Sequence, residues 1–176
     1  MARTISKTNM TISVNEAKPD KLFYVVANAV VYRESDGRCL ILKRDEREKV
    51  HPGRWANIGG KLEHGDFDLN SPSSVYDGVP AFEDVLSGLI EREVKEEAGV
   101  SIKLPAKYMH NKVFIRPDGI PVLLLIYAAV YKSGEVKPEA GAFTDSAWVN
   151  EKEVDDYDCI KGVADEIKQA IKILNS

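Results

Sequence analysis

The sequence predicts an α/β fold. Three observations carry the prediction. Runs rich in β-branched and aromatic residues, such as "LFYVVANAVVYR" and "CLILKR", are separated by turn signals. One central stretch, residues 82–98, repeats its apolar residues at the 3,4 spacing of a helix. A second helical stripe (Ile160, Val163, Ile167, Ala170, Ile171, Leu174) closes the chain. Strand-like and helix-like segments thus intermix along 176 residues, a length that suits one domain with a sizeable core.

The elements follow in order. Residues 1 to about 20 are polar and punctuated by Pro19, and read as an N-terminal arm or an edge strand. Residues 22–33 form a strand, Asp36-Gly37 turns the chain, and residues 39–44 return as its partner. "DEREKVHPGR" is a charged loop, and "WANIGG" carries a short strand into a glycine pair. Residues 64–80 are dominated by Gly, Pro, Ser, Asp and Asn and read as a loop. The helix over 82–98 stops at Gly99, a natural residue just past a helix end. "VFIR" and "VLLLIYAAVY" flank Pro117-Asp118-Gly119 as a hairpin, "SAWV" is a short strand, and the tail from Glu151 is helical. No internal repeat and no linker divides residues 21–176, which read as a single domain.

Composition narrows the function. A formal net charge of −4 argues against a nonspecific grip on nucleic-acid backbone. An acidic protein that binds an anionic small molecule needs a metal ion as mediator. The N-terminus has no apolar core segment, and the longest apolar run is about half of a membrane span, so the expectation is a cytoplasmic protein with no membrane partner. Cys39 and Cys159 lie far apart in no metal-binding or redox pattern, which fits a reducing compartment.

"REVKEEAG", residues 92–99, is the segment that carries chemistry. Glu93, Glu96 and Glu97 stand at i, i+3 and i+4, so they share a helix face and repel by roughly 0.2–0.5 kcal/mol per exposed pair. They continue the apolar stripe of Phe82, Val85, Leu86 and Leu89, which faces inward. They also crowd the negative end of the helix dipole, where cations are preferred. A hard divalent ion, Mg²⁺ or Mn²⁺, answers both problems and leaves coordination positions for phosphate oxygens. Arg92, four residues before Glu96, is placed to orient a carboxylate. Upstream, the Gly59-Gly60 pair lets backbone approach a ligand closely.

Taken together, these residues resemble the signature of the Nudix hydrolases of the MutT type. Gly60 begins the family's box, and "REVKEEAGV" (92–100) completes it without a mismatch. The middle departs from the pattern: Asp66 stands where the family has Glu, and counting back from Arg92 gives Asp84, beside Glu83. The box looks split by an insertion at about residues 66–83, and Asp66, Glu83 and Asp84 all remain candidates for its first acid. "GRWANIGGKLE" and the late "AWV" extend the likeness over most of the chain.

The resemblance implies a Nudix-type α/β/α sandwich with a curved mixed sheet and the box as a loop–helix–loop. It implies hydrolysis of a nucleoside diphosphate linked to another group, with Glu93, Glu96, Glu97 and the carbonyl of Gly60 holding Mg²⁺ and Arg92 orienting the glutamates. A general base would come from the box or from the later loop "KSGEVKPEAGAFTDSAW", where Glu139 is the first choice and Glu135 and Asp145 are alternatives. Arg54, Lys61 and His51 lie near the glycine pair as candidates to meet phosphate, and Tyr24, Trp55, Phe114, Tyr127 and Phe143 are candidates to stack on a base. Nucleoside triphosphates, oxidised purine dNTPs among them, are the expected substrates; ADP-ribose or a nucleotide sugar is the rival. An isopentenyl diphosphate isomerase would need a reactive cysteine, and a non-catalytic nucleotide sensor would bind without turnover. The oligomeric state, a homodimer included, is left open.

Overall fold

The computed structural model describes residues 11–175. Its elements run β1 (Tyr24–Arg33), β2 (Arg38–Arg44), β3 (Trp55–Ala56), β4 (Ile58–Lys61), β5 (Ser74–Tyr76), β6 (Val79–Ala81), α1 (Val85–Ala98), β7 (Ser101–Ile115), β8 (Pro121–Ser133), β9 (Phe143–Val149) and α2 (Val163–Leu174). The main sheet has the order β3-β2-β1-β8-β7, with β4 pairing β1 and β9 pairing β2. β1 and β8 run parallel over nine residue pairs while the other pairings are antiparallel, so the sheet is mixed.

β1 shows why the sheet needs two covering layers. Ala27, Ala29 and Val31 point to one face, and Val30 and Tyr32 to the other, all of them buried. A strand buried on both faces reads as a continuous apolar run and not as an alternation. The first face packs against Leu89, Ile90, Val94 and Ala98 of α1. The second packs against Val163, Ile167 and Ala170 of α2. Burying each Leu, Ile or Val in this way contributes about 1.5–3 kcal/mol. The result is the expected α/β sandwich, with β4 and the end of α1 meeting on one side of β1.

Several boundaries differ from the sequence reading, each for a local reason. The central helix starts at Val85, not at residue 82: Asp84 takes a left-handed backbone (φ 54°), and Phe82 instead stacks on Phe67 with ring centroids 4.9 Å apart. Residues 64–80 are more than a loop. A 3-10 turn spans His64–Asp66, and β5 and β6 pair as a separate hairpin around Asp77-Gly78, whose φ values of 49° and 81° suit a tight two-residue turn. β7 begins at Ser101, a dozen residues before the predicted "VFIR", and follows β8 through three register shifts. In the tail, a 3-10 turn at Glu153–Asp156 comes first and the helix waits for Gly162 (φ 101°); Ile160 is tied to Trp55 by a backbone hydrogen bond of 2.8 Å. Residues 1–10 of the predicted arm lie outside the described residues, and residues 11–23 hold turns but no strand. Among the described residues, no helix is long and apolar enough to cross a membrane.

Candidate active site

α1 presents its acids in two directions. Leu86, Ile90, Glu93 and Glu97 follow the i, i+4, i+7, i+11 line, so Glu93 and Glu97 extend an inward stripe beyond the apolar residues. The Glu93 side chain retains only 13% of its exposure, whereas Glu96 keeps 56%. The structure therefore brings Glu93 and Glu97 together and turns Glu96 outward toward Arg92. The expectation of three glutamates on one inward line holds for two of them, because Glu96 is a further 100° round from Glu97.

β4 meets the inward pair. The backbone N–H of Gly59 donates to Glu97 Oε2 at 3.0 Å. A Cβ placed on Gly60 would fall on the Glu93 carboxylate, so the absence of a side chain there is what lets the helix acid approach the strand. Gly60 has no unusual φ, and its requirement is one of space. Substituting Gly60→Ala should accordingly displace Glu93 without straining the backbone. The expected result is a roughly 10²-fold loss in kcat/KM, read against a melting temperature that stays within a few degrees; an unimpaired Gly60→Ala enzyme would show that Glu93 need not sit against β4.

The loop that follows β8 closes the C-terminal end of α1. Lys137 N–H donates to the carbonyl of Ala98 (2.8 Å) and Glu139 N–H to that of Glu97 (2.9 Å), satisfying orphan carbonyls of the last turn. These bonds carry the Glu139 carboxylate to the neighbourhood of Glu97. Desolvation pushes the Glu97 carboxyl up to about 8; the Gly59 N–H and the Arg44 guanidinium oppose the rise, and the charges of Glu93 and Glu139 add to it. Burial also raises Glu93. Two desolvated carboxylates and a third nearby make an anionic cluster that holds itself together poorly.

Arg92 organises the other side. Its Nε donates to Asp66 Oδ1 at 2.8 Å, and its Nη1 lies 2.8 Å from Glu96 Oε2 and 2.9 Å from Glu93 Oε1. The Asp66 side chain is 6% exposed, and its second oxygen accepts the Glu63 N–H. Glu83, by contrast, accepts from Ser74 Oγ and Tyr76 OH within the hairpin, and Asp84 precedes α1 in its left-handed turn. Of the three candidates for the first acid, Asp66 is the one that meets Arg92.

The remaining expected residues are scattered. Arg54 is committed to Asp158 Oδ1 (2.8 Å) and the Cys159 carbonyl (2.6 Å). Lys61 is exposed at the end of β4 with no side-chain partner among the described residues. Glu135 pairs with Lys137, and Asp145 caps the N–H of Ser146. Phe143 is core, Trp55 packs edge-on to Tyr157, and Tyr127 edge-on to Tyr108, while Tyr24 and Phe114 are exposed. Cys39 is buried in β2 and its thiol is pushed up to about 12, so it is no nucleophile. Sequence reasoning missed Arg44, whose charge acts on Glu97 while its Nη2 holds Glu48 at 2.6 Å. Its only signal was a cation ending a strand in a charged loop.

Among the described residues, no three His, Cys, Asp or Glu side chains form a ready-made metal cage. The donor set nevertheless fits a hard divalent cation. Mg²⁺ keeps several waters and takes one or two carboxylates plus substrate phosphates, and here two half-buried carboxylates face a backbone stripped of side chains.

No protein-family model matches the chain. It is 28% identical over 134 residues to the nucleoside triphosphatase NudI of Escherichia coli O139:H28, covering 71% of this chain and 82% of that protein. Its fold matches the MutT protein of Methanosarcina mazei Go1 with a TM-score of 0.63 at 19% identity, over 89% of this chain and 99% of that one. It also matches the NUDIX domain of Shewanella oneidensis NrtR, solved with ADP ribose, with a TM-score of 0.64 at 16% identity, over 90% and 94% of the two chains.

Proposed function

We propose that this chain, which is a MutT-like Nudix hydrolase, is a Mg²⁺- or Mn²⁺-dependent pyrophosphohydrolase that cleaves nucleoside triphosphates, oxidised purine dNTPs among them, to monophosphate and pyrophosphate. The observation that carries the reading is the convergence of Glu93 and Glu97 on Gly59-Gly60, with Glu139 carried alongside. In this reading residues 21–176 act as one catalytic domain, residues 66–83 are an excursion from it, and two free cysteines fit a cytoplasmic setting.

Each residue has a part. Glu93, Glu97 and the Gly60 carbonyl would hold the cation, with Glu96 joining them once it swings in from Arg92. When bound, the cation neutralises phosphate charge and acidifies water. Arg92 positions Glu93 and Glu96, and Asp66 holds Arg92 in place by accepting from its Nε. The Glu139 carboxylate takes the proton of the attacking water, a role worth typically 10²–10⁴-fold. Lys61, unpartnered among the described residues, is the better phosphate contact of the two cations expected there; Arg54 must first leave Asp158. The triphosphate preference draws on the activity named for NudI. ADP-ribose is the second reading, favoured by the ligand of the NrtR domain.

The test is a panel of NTPs, dNTPs, ADP-ribose and nucleotide sugars incubated with Mg²⁺. Pyrophosphate released from triphosphates is the expected product. AMP and ribose phosphate from ADP-ribose as the dominant reaction would replace the first reading by the second, and no turnover with any member would reject both.

A further inference from the structure

β7 is the last strand of the main sheet and, among the described residues, pairs with β8 alone. Its outer edge presents a row of backbone N–H and C=O groups that no described strand takes up. The two halves of that edge differ. Residues 101–110 carry devices that block pairing: Lys103 and Lys107, Pro105 with no N–H to donate, and three register shifts against β8. Residues 111–115 carry almost none. They pair with β8 in unbroken register, from Asn111 opposite Leu125 to Ile115 opposite Pro121. Their one charge, Lys112, turns its ammonium onto the buried Glu166 of α2 at 2.7 Å. Val113 is 58% exposed, Phe114 44% and Ile115 63%. Tyr24, Val122 and Phe114 stand opposite one another on neighbouring strands, and so do Val25, Leu123 and Val113. Opposed residues share a face, so an apolar row reaches this edge on each side of the sheet.

We propose that residues 111–115 are a dimerisation edge, on which a second copy of this chain lays its own β7 antiparallel, across a two-fold axis at Val113. Charge decides among the strands that could lie there. The Lys112 ammonium is already paired with Glu166, so the edge offers no free cation to an acidic peptide. What remains is an electrically balanced apolar strand, and its complement is another of the same kind. A second copy supplies one of equal length, and a two-fold contact uses the same patch on both molecules. With the axis at Val113, that residue faces the partner's Val113. Lys112 then lies beside the partner's Phe114, and Asn111 beside the partner's Ile115. The two lysines are kept apart, which matters because like charges directly opposite destabilise a strand pair. The apolar stem of Lys112 instead covers an aromatic ring. On both faces the apolar rows run on from one sheet into the next. Five residue pairs make a small interface, so the dimer is a weak one that forms as concentration rises.

The test is sedimentation equilibrium of the full chain from micromolar to millimolar concentration. The expected result is a rise from the monomer mass of 19.6 kDa toward twice that value. Val113→Lys sets a charge against its own copy at an exposed position, and should hold the chain monomeric with its melting temperature little changed. Cross-linking reads the register independently, in a Cys159→Ser background. Opposed residues of an antiparallel pair have Cα atoms about 4.5–5.5 Å apart, within the span of a disulfide. Val113→Cys should therefore give a covalent dimer on oxidation. Ile115→Cys should not, because the two copies of that residue would stand about 14 Å apart along the strands. A chain that stays monomeric at millimolar concentration overturns the proposal. So does a dimer that survives Val113→Lys, or one that cross-links through position 115 and not through 113. Capture of an extended peptide on residues 111–115 of a monomeric chain would overturn it as well, since the edge would then serve a different partner.

Discussion

Glu97→Gln should lower turnover by about 10²–10³-fold while the protein stays folded. The magnitude is that of removing one preorganised charge or donor from a reacting centre. The case for Glu97 over its neighbours is geometric. It is the box acid that accepts a backbone N–H from Gly59, lies against Glu93, and feels both Glu139 and Arg44. Glutamine keeps the shape and can still accept from Gly59, so the strand–helix contact survives. What is lost is the negative charge, and with it one anchor for a cation. The measurement is kcat with Mg²⁺ at saturating nucleotide, with circular dichroism to confirm the fold. A Glu97→Gln enzyme within a few-fold of wild type would remove the site, because Glu93 would then be the one desolvated carboxylate of α1 left facing the glycine pair, and a lone carboxylate is a poor anchor for a divalent cation.

Much of this site was legible because it is local. Arg92, Glu93, Glu96 and Glu97 sit in one contiguous pattern that helical geometry alone relates, and Gly60 stands out upstream as half of a glycine pair. The α/β class was legible for a similar reason: β1 and α1 declare their periods within a dozen residues. What failed to show was set by distant partners. Asp66 could not be told from Glu83 or Asp84 by counting, since the choice depends on the hairpin β5–β6 folding away and taking Glu83 with it. That hairpin was itself signalled by Asp77-Gly78, but its strands are only three residues long and rich in loop-forming neighbours. The first half of β7, "SIKLPAKYMH", has too little apolar alternation to read as a strand; it is one because β8 lies beside it. Asn57 and Glu166, which share a buried hydrogen bond, are 109 residues apart, and no window on the sequence joins them.

The metal-free protein should lose stability as pH rises from about 5 to about 9, and Mg²⁺ should cancel the loss. Glu97 has a folded pKa of about 8, raised chiefly by desolvation above the ordinary value of 4.5. A carboxyl raised in the folded state binds its proton more tightly there than in the unfolded chain. Its contribution is therefore complete below about pH 4.5 and disappears as pH climbs through 8. Each pKa unit corresponds to about 1.4 kcal/mol, so the full effect is on the order of 4 kcal/mol, shared with Glu93, whose shift has the same sign. For a chain of this size each kcal/mol moves Tm by about 2–4 °C. Asp45, held down to about 2 by Arg47, works the other way but only at acid pH, below this window. Thermal scans without metal should thus show Tm falling by roughly 10 °C across pH 5–9, and Glu97→Gln, which cannot ionise, should flatten the fall. A cation binds the ionised pair, so the Tm gain at millimolar Mg²⁺ should be smallest at pH 5 and largest near pH 9; a ligand at 100 times its Kd contributes about 2.7 kcal/mol. A wild-type Tm that is level with pH, or a Mg²⁺ gain that is the same at both ends, would mean that Glu93 and Glu97 are solvated side chains with no ion between them, and the hydrolytic site would have to be sought elsewhere on the fold.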